Sequence, residues 1–219
     1  MKRKTTVFAG TAILVIFVAG STGLSGDAQG WLNNSLSFRI NERLSIKFVH
    51  EIRCQELTFS DSYLQNIQGG IYYSLTKHFY AGVSYRRQEE HKARFLLHEN
   101  RFTLETGWKA QLSKITVFDL RLLTEIRTYE DGLAVDNLTF RLRARVKTSL
   151  AIGQLKVQPF IALEPFADTI TDKVYRCRFY AGFVFPMGKN AGFVINFIQQ
   201  GTENKETLYI LNSGIELKF

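Results

Sequence analysis

The sequence lacks most of the features that identify a soluble enzyme or a helical membrane protein. Its 219 residues include only 3 prolines and 2 cysteines. No stretch shows the 3.6-residue apolar periodicity of an amphipathic helix. Beyond residue 28, no apolar run approaches the roughly 20 residues that a transmembrane helix needs. The motifs HExxH, GxSxG and CxxC are absent, as is a glycine-rich phosphate loop, so the usual signatures of metalloproteases, hydrolases, dithiol oxidoreductases and nucleotide-binding proteins are missing.

The first residues have the composition of a secretory signal peptide. Lys2, Arg3 and Lys4 precede an almost wholly apolar stretch at residues 7–19, and small residues, Gly26 and Ala28, follow at a suitable cleavage site. An N-terminal membrane anchor is the alternative, but the apolar stretch has only about 13 residues. We therefore expect residues 1–28 to be removed, which changes the formal net charge from +8 to about +6.

Residues 136–149 show a strict alternation that the rest of the chain repeats. The apolar positions are Leu138, Phe140, Leu142, Ala144 and Val146, and the positions between them are Thr139, Arg141, Arg143, Arg145 and Lys147. A period of two predicts a β-strand with one apolar and one charged face. Four cations on one face fit a closed barrel that is apolar toward lipid and charged toward its lumen.

Ten segments carry this alternation and have about the length needed to cross a membrane at a tilt. They are residues 43–55, 66–76, 79–88, 98–110, 114–127, 136–149, 155–166, 173–185, 191–199 and 207–219. Residues 31–40 also alternate and either continue into the next segment or form a hairpin with a three-residue turn. As an eleventh strand they would start outside the cell, so we expect them to pair partially or to tuck into the lumen.

The sequence thus predicts an all-β fold, an antiparallel up-and-down transmembrane β-barrel of about ten strands, with twelve as the alternative, formed by residues 29–219. Short turns alternate with longer polar loops, as in outer-membrane barrels. Phe79, Trp108, Phe185 and Phe193 lie near the short turns, where an interfacial aromatic belt is expected. The final Phe219 fits a signal read by the outer-membrane assembly machinery. We expect an outer-membrane protein that contacts lipid and lipopolysaccharide.

Charged residues at lumen positions are the candidate functional site. They are Glu51, Arg53, Glu99, Arg101, Glu105, Asp119, Arg121, Glu125, Arg127, Arg141, Arg143, Arg145, Glu164, Arg176 and Arg178. Buried charges must be paired, so one hypothesis is an ion network that largely plugs the lumen. The alternative is a narrow, cation-rich path for small anions, because cations outnumber carboxylates on the strand at residues 136–149.

No catalytic, cofactor or metal site is expected from the sequence. His50 and Glu51 face opposite sides of a strand, and His78 lies in a turn; His91 and His98 flank a charged loop that is best interpreted as solvated. A lipid-modifying enzyme is therefore a second alternative with little support. The cations alternate along strands instead of clustering with stacking aromatics, which argues against nucleic acid as a partner.

The two cysteines, Cys54 and Cys177, could pair in an oxidising compartment, but they lie on segments that are not neighbours in order. Two unpaired cysteines on the apolar face are the preferred interpretation.

The mature chain resembles an uncharacterised family of bacterial outer-membrane β-barrels classed as a domain of unknown function. The resembling stretches are Trp31 with LSFRINERLSIKFVHEIR, the strand start at residues 99–101, LLTEIR followed by FRLRARV, PFIALEPF, and the Arg176-containing strand before residues 180–182. The resemblance implies a barrel in the outer membrane and implies no activity. We expect a small barrel with a structural or interaction role.

Overall fold

The computed structural model describes residues 28–57, 61–130, 137–152, 155–168 and 173–219, and within them the chain forms twelve β-strand segments. The segments are β1 (Ala28–Arg39), β2 (Leu44–Cys54), β3 (Ser62–Ser74), β4 (Phe79–His91), β5 (Leu96–Gln111), β6 (Thr116–Tyr129), β7 (Asn137–Thr148), β8 (Leu150–Ile152), β9 (Leu155–Asp168), β10 (Val174–Met187), β11 (Ala191–Thr202) and β12 (Lys205–Lys218). This part of the chain contains no helix long and apolar enough to cross a membrane. Ala28 begins β1, and the rest of the predicted signal peptide lies outside the described residues.

The strands form one closed barrel in which neighbours in sequence are neighbours in the sheet. Segment β8 continues β7 beyond Ser149, and both pair with β9, so the ring has eleven members. Every pairing is antiparallel except that of β1 with β12, which closes the ring in parallel. The predicted all-β barrel is confirmed, and its strand count is eleven where the alternation predicts ten or twelve.

The eleventh member is β1, for which the sequence predicts partial pairing or a position inside the lumen. Instead β1 pairs along its length with both β2 and β12. An odd number of alternating strands makes the first and last strands run in the same direction, which is why the closing pair is parallel. Gly214 of β12 permits the close approach of β1, because a Cβ at this position would lie only 1.7 Å from the carbonyl oxygen of Asn33.

The connection between β1 and β2 is a hairpin, one of the two arrangements that the unbroken alternation leaves open. The Ile40 N–H donates to Leu44 O at 2.9 Å, which encloses a three-residue turn at residues 41–43. Arg39 pairs with Ser45, and the Oδ1 atom of Asn41 accepts hydrogen bonds from the backbone N–H groups of Arg43 and Leu44 at 2.9 and 2.8 Å. The odd turn length keeps like faces of the two strands together.

The two ends of the barrel differ less than the sequence predicts. The end that carries Phe219, called here the Phe219 end, has turns at residues 40–43, 75–78, 112–115 and 188–190. The opposite end is called here the loop end. The charged residues there, between the predicted strands at 79–88 and 98–110, were expected to form a loop, but β4 and β5 extend until only residues 92–95 connect them. The charged residues there continue the alternation, so they extend the strands instead of ending them.

The barrel is apolar outside and polar inside. Among the described residues, Ile67, Val83, Phe102 and Ile126 are more than half exposed on the outer face. Within the described part of the chain, fourteen polar or charged residues are buried, against nine hydrophobic ones, so polar side chains predominate in the interior. A small apolar cluster of Trp31, Ile198 and Ile210 lies inside, next to the parallel pair of β1 and β12.

Candidate functional site in the barrel lumen

A cavity of about 1130 Å³ lies inside the barrel, and all fifteen predicted lumen residues line it. Residues near both ends also line it, including Lys92 and Lys205 at the loop end and Lys77 and Lys218 at the Phe219 end. Strand parity therefore identified the inward face correctly on every strand that carries a predicted charge.

Arg141 of β7 joins the two most deeply buried carboxylates of the lumen. Its Nη1 atom lies 2.7 Å from Glu125 Oε1 on β6, and its Nη2 atom lies 2.9 Å from Glu164 Oε1 on β9. Both glutamates are only 1% exposed. Arg127 donates to the other oxygen of Glu125 at 2.7 Å, and Arg101 lies 3.5 Å from that oxygen. Other side chains thus cover both carboxylates almost completely.

Two further carboxylates are held within the half of the lumen nearer the loop end. Glu51 accepts from Arg53 Nε at 2.8 Å, and Asn33 and Asn66 donate to the same carboxylate at 2.9 and 3.1 Å. Glu99 accepts from Arg101 Nε at 2.7 Å. Each of these ion pairs joins residues two apart on one strand, which share a face.

Tyrosines complete the hydrogen bonding of two lumen carboxylates, and the alternation alone gave no reason to single them out. The Tyr80 hydroxyl donates to Glu105 at 2.8 Å, and the Tyr180 hydroxyl donates to Glu164. Arg121 lies between the two glutamates, 3.4 Å from Glu105 and 3.9 Å from Glu164. From its position on β6, Arg121 thus contacts one carboxylate on β5 and another on β9.

Two inward aromatic rings each lie against more than one arginine. The Arg53 guanidinium on β2 lies 3.8 Å from the ring centroid of Trp31. The Arg178 guanidinium, on β10 beyond β12, lies 5.0 Å from the same ring. Phe166 is buried beneath Arg141, Arg178 and Arg176 at 4.7, 4.9 and 5.7 Å. Cation–π contact and displaced water both stabilise this arrangement.

The comparison with known proteins places the chain in a family. A family model described as a protein of unknown function, DUF2490, matches residues 28–208. The chain belongs to this family. No curated protein matches it. Among solved structures it is similar to the β domain of the Bordetella autotransporter BrkA, with 15% identity, a TM-score of 0.53, and coverage of 80% of this chain and 82% of that chain. The likeness shows the barrel fold and nothing about activity.

In this family member, the half of the lumen nearer the Phe219 end is poorly paired. Among the described residues, Arg143, Arg145, Lys147 and Lys47 line the cavity without a hydrogen bond to any protein acceptor. The nearest carboxylate contact of Arg145 is Asp119, with 3.7 Å between Nη2 and Oδ2, too long for a hydrogen bond.

Like charges face one another across neighbouring strands. Arg101 stands directly opposite Arg127 on one side and Arg86 on the other, and Arg121 stands opposite Arg143. Such pairs are destabilising unless counter-charges lie between them. Glu99 and Glu125 supply these for Arg101, and Gln68 accepts two hydrogen bonds from Arg86 at 3.0 and 2.6 Å. Arg86, Lys47 and Lys147 were not among the predicted site residues, although their parity placed them on the lumen face.

The cavity is strongly cationic as a whole. Seventeen lysine and arginine side chains line it, against eight aspartate and glutamate side chains, counted over the described part of the chain. The sequence showed this surplus on one strand only, whereas the structure extends it to the whole lumen.

The four histidines lie apart from one another. His50 is exposed on the outer face, and His91 is exposed at the end of β4. The His78 ring lies 3.0 Å from the carbonyl of Lys109, and His98 lies 3.7 Å from Glu89. The described residues contain no group of three or more metal-ligating side chains.

Cys54 and Cys177 are both unpaired in the structure, so they form no disulfide with each other.

Proposed function

We propose that the protein is a bacterial outer-membrane barrel whose lumen is filled at mid-height by an arginine–glutamate network, and that its role is structural or interactive. The near-complete burial of Glu125 and Glu164 carries this proposal. Carboxylates that face a lumen would be hydrated if a water column passed beside them. Here arginines enclose them, and Arg141 bridges both.

The outer surface supports placement in a membrane. Near the Phe219 end, Phe79 and Trp108 have ring centroids 6.5 Å apart, and Phe185 and Phe193 have centroids 6.3 Å apart, as in an interfacial belt. The terminal residue is fixed by backbone hydrogen bonds to β1, at 2.9 Å to Ser37 O and 2.7 Å from Arg39 N. On this proposal the partners are lipid, lipopolysaccharide and an assembly machinery that reads Phe219, and the role is not enzymatic.

Planar-bilayer recording tests the filled lumen. The purified protein should show no steady current. A double variant, Arg101→Ser with Arg141→Ser, removes two of the three arginines around Glu125 and should conduct or lose stability. The matched control is Arg143→Ser with Arg176→Ser, which removes the same two charges from positions that make no hydrogen bond to a described carboxylate, and it should stay closed. A steady current through the unmodified protein would refute the proposal.

A narrow path for small anions is the second candidate, and the cation surplus of the cavity favours it. A lumen with about two cations for each carboxylate attracts anions and repels cations. If the unmodified protein conducts, this candidate requires a reversal potential on the anion-selective side, and cation selectivity would remove it.

A further inference from the structure

Arg143 is one of several lumen cations that make no hydrogen bond to a described residue. A guanidinium carries five N–H donors and cannot release its proton in a protein. Arg143 makes no hydrogen bond to a described residue, and its Nε atom is buried from solvent. The Nε atoms of its neighbours Arg121 and Arg145 are likewise buried and without an acceptor. Unmet donors of this kind cost free energy unless something other than the described side chains accepts from them.

The unmet donors converge on one place. Arg143 and Arg145 are two apart on β7, so their side chains leave the same face about 7 Å apart. Arg121 of β6 stands directly opposite Arg143. Lys47 projects from β2, on another wall, into the same cavity. Four cations from three strands therefore surround one part of the cavity near the Phe219 end.

No carboxylate of the described residues is hydrogen-bonded to Arg143, Arg145 or Lys47, and those near the cluster are shared with other groups. Glu164 is hydrogen-bonded to Arg141 as well as lying 3.9 Å from Arg121, and Glu216 lies 3.2 Å from Lys218. Glu105 is already bonded to Tyr80 and lies 3.4 Å from Arg121. Asp119 stands opposite Arg145 but lies 3.7 Å from it, and its Oδ1 atom has no donor. Arg141, by contrast, is hydrogen-bonded through Nη1 and Nη2 to two carboxylates, although its Nε atom also lacks an acceptor. The lack of any Nη contact to a carboxylate is therefore what distinguishes Arg143 from Arg141.

We propose that Arg143, Arg121, Arg145 and Lys47 form a lumen site for a phosphate group, carried either by inorganic phosphate or by a small phosphorylated solute. Guanidinium groups match the oxygens of phosphate with pairs of parallel N–H···O bonds. A phosphate also brings more than one negative charge and several acceptors, as the cluster requires, whereas chloride supplies one charge and no directed acceptors. The site requires no current through the lumen, so it stands apart from both functions proposed above.

Calorimetric titration of the purified protein in detergent tests the site. Inorganic phosphate should bind saturably in a chloride buffer, and sodium chloride at matched ionic strength should give no comparable heat. Arg143→Gln should weaken phosphate binding about tenfold or more, which corresponds to roughly 1.4 kcal/mol. Arg143→Lys keeps the charge but loses the planar fork, and should retain part of the affinity.

Arg176→Gln is the matched control. Arg176 also lines the lumen with an unpartnered Nε atom, but its charged neighbours are Arg178, Arg127 and Arg53, not Arg143. Its loss should leave phosphate binding within about twofold. An equal loss in both variants would mean that only net charge matters and would overturn the site, as would an unchanged affinity in Arg143→Gln or the absence of phosphate binding.

Glycerol phosphate separates the two sources. Competition between glycerol phosphate and inorganic phosphate supports a phosphorylated solute, and binding of inorganic phosphate alone supports the free ion. Each variant is used only if its circular dichroism spectrum and its electrophoretic shift on heating match those of the unmodified protein. If Arg143→Gln does not fold, Arg143→Lys and Lys47→Gln provide the same comparison.

Discussion

Replacing Arg141 with glutamine should destabilise the barrel far more than the same change at Arg143. Arg141 holds Glu125 and Glu164 at 2.7 and 2.9 Å, and its loss leaves two carboxylates short of a counter-charge at sites that are 1% exposed. Breaking a buried ion pair by removing one partner costs about 3–5 kcal/mol. Glu125 keeps Arg127 and Glu164 keeps Tyr180, so we expect a cost within that range and not twice as large.

The control separates the ion pair from the loss of a charge. Arg143→Gln removes a guanidinium that has no hydrogen bond and faces Arg121 directly, so the change should stay within about 1 kcal/mol. Urea unfolding of the protein in lipid vesicles, followed by fluorescence of Trp31 and Trp108, measures both free energies. A third variant, Glu125→Gln with Arg141→Gln, should recover part of the loss. Equal destabilisation by the two single changes would refute the assignment of Arg141 as the central bridge.

Two further predictions concern the closing strand pair and the loop end. Gly214→Ala places a methyl group against the Asn33 carbonyl oxygen and should destabilise the closed barrel by about 1–3 kcal/mol. Gly201→Ala is the control, because its methyl group meets nothing within 4 Å. The heat-dependent electrophoretic shift compares the two variants, and equal behaviour would contradict the close contact between β1 and β12. At the loop end, hydrogen bonds from Arg87 and Asn100 lower the pKa of Glu130 to about 2. This pKa lies below the value of about 4.3 that glutamate has in the unfolded chain, so the contact stabilises the fold at pH values above 4.3. The stabilisation is lost as the pH falls through about 2. A carboxyl NMR titration with a midpoint near 4 would show that the contact is absent in solution.

The sequence was sufficient for the two faces of the barrel because side-chain direction on a strand depends only on parity. Every predicted lumen charge, from Glu51 to Arg178, lines the cavity. Which charges meet depends on the stagger between strands, which parity does not contain. The pairing of Arg141 with Glu125 and Glu164 is an example: the three residues lie on three strands, and separations of 16 and 23 residues do not determine it.

Phe166 and Trp31 show a second limit of the sequence pattern. Alternation around Phe166 is blurred by Pro159 and Pro165, and an apolar residue at an inward position looks like an error in the pattern. In the structure, the Phe166 ring makes cation–π contacts with three arginines. A cation–π contact across strands leaves no periodic signal, so it could not be found by reading one strand at a time.

The cavity lining is charged on most strands but uncharged on β1, and this difference bears on how β1 closes the barrel. The β1 residues that line the cavity are uncharged, and one of them, Trp31, joins Ile198 of β11 and Ile210 of β12 in an apolar cluster. A parallel pair is slightly less stable per residue than an antiparallel one, so this closure benefits from added packing. Arg53 and Arg178 cover the Trp31 ring from the two flanking walls, at 3.8 and 5.0 Å. Arginines from the charged walls thus stabilise the apolar cluster beside β1. Loss of the Trp31 ring should therefore destabilise the parallel pair of β1 and β12 more than any antiparallel pair.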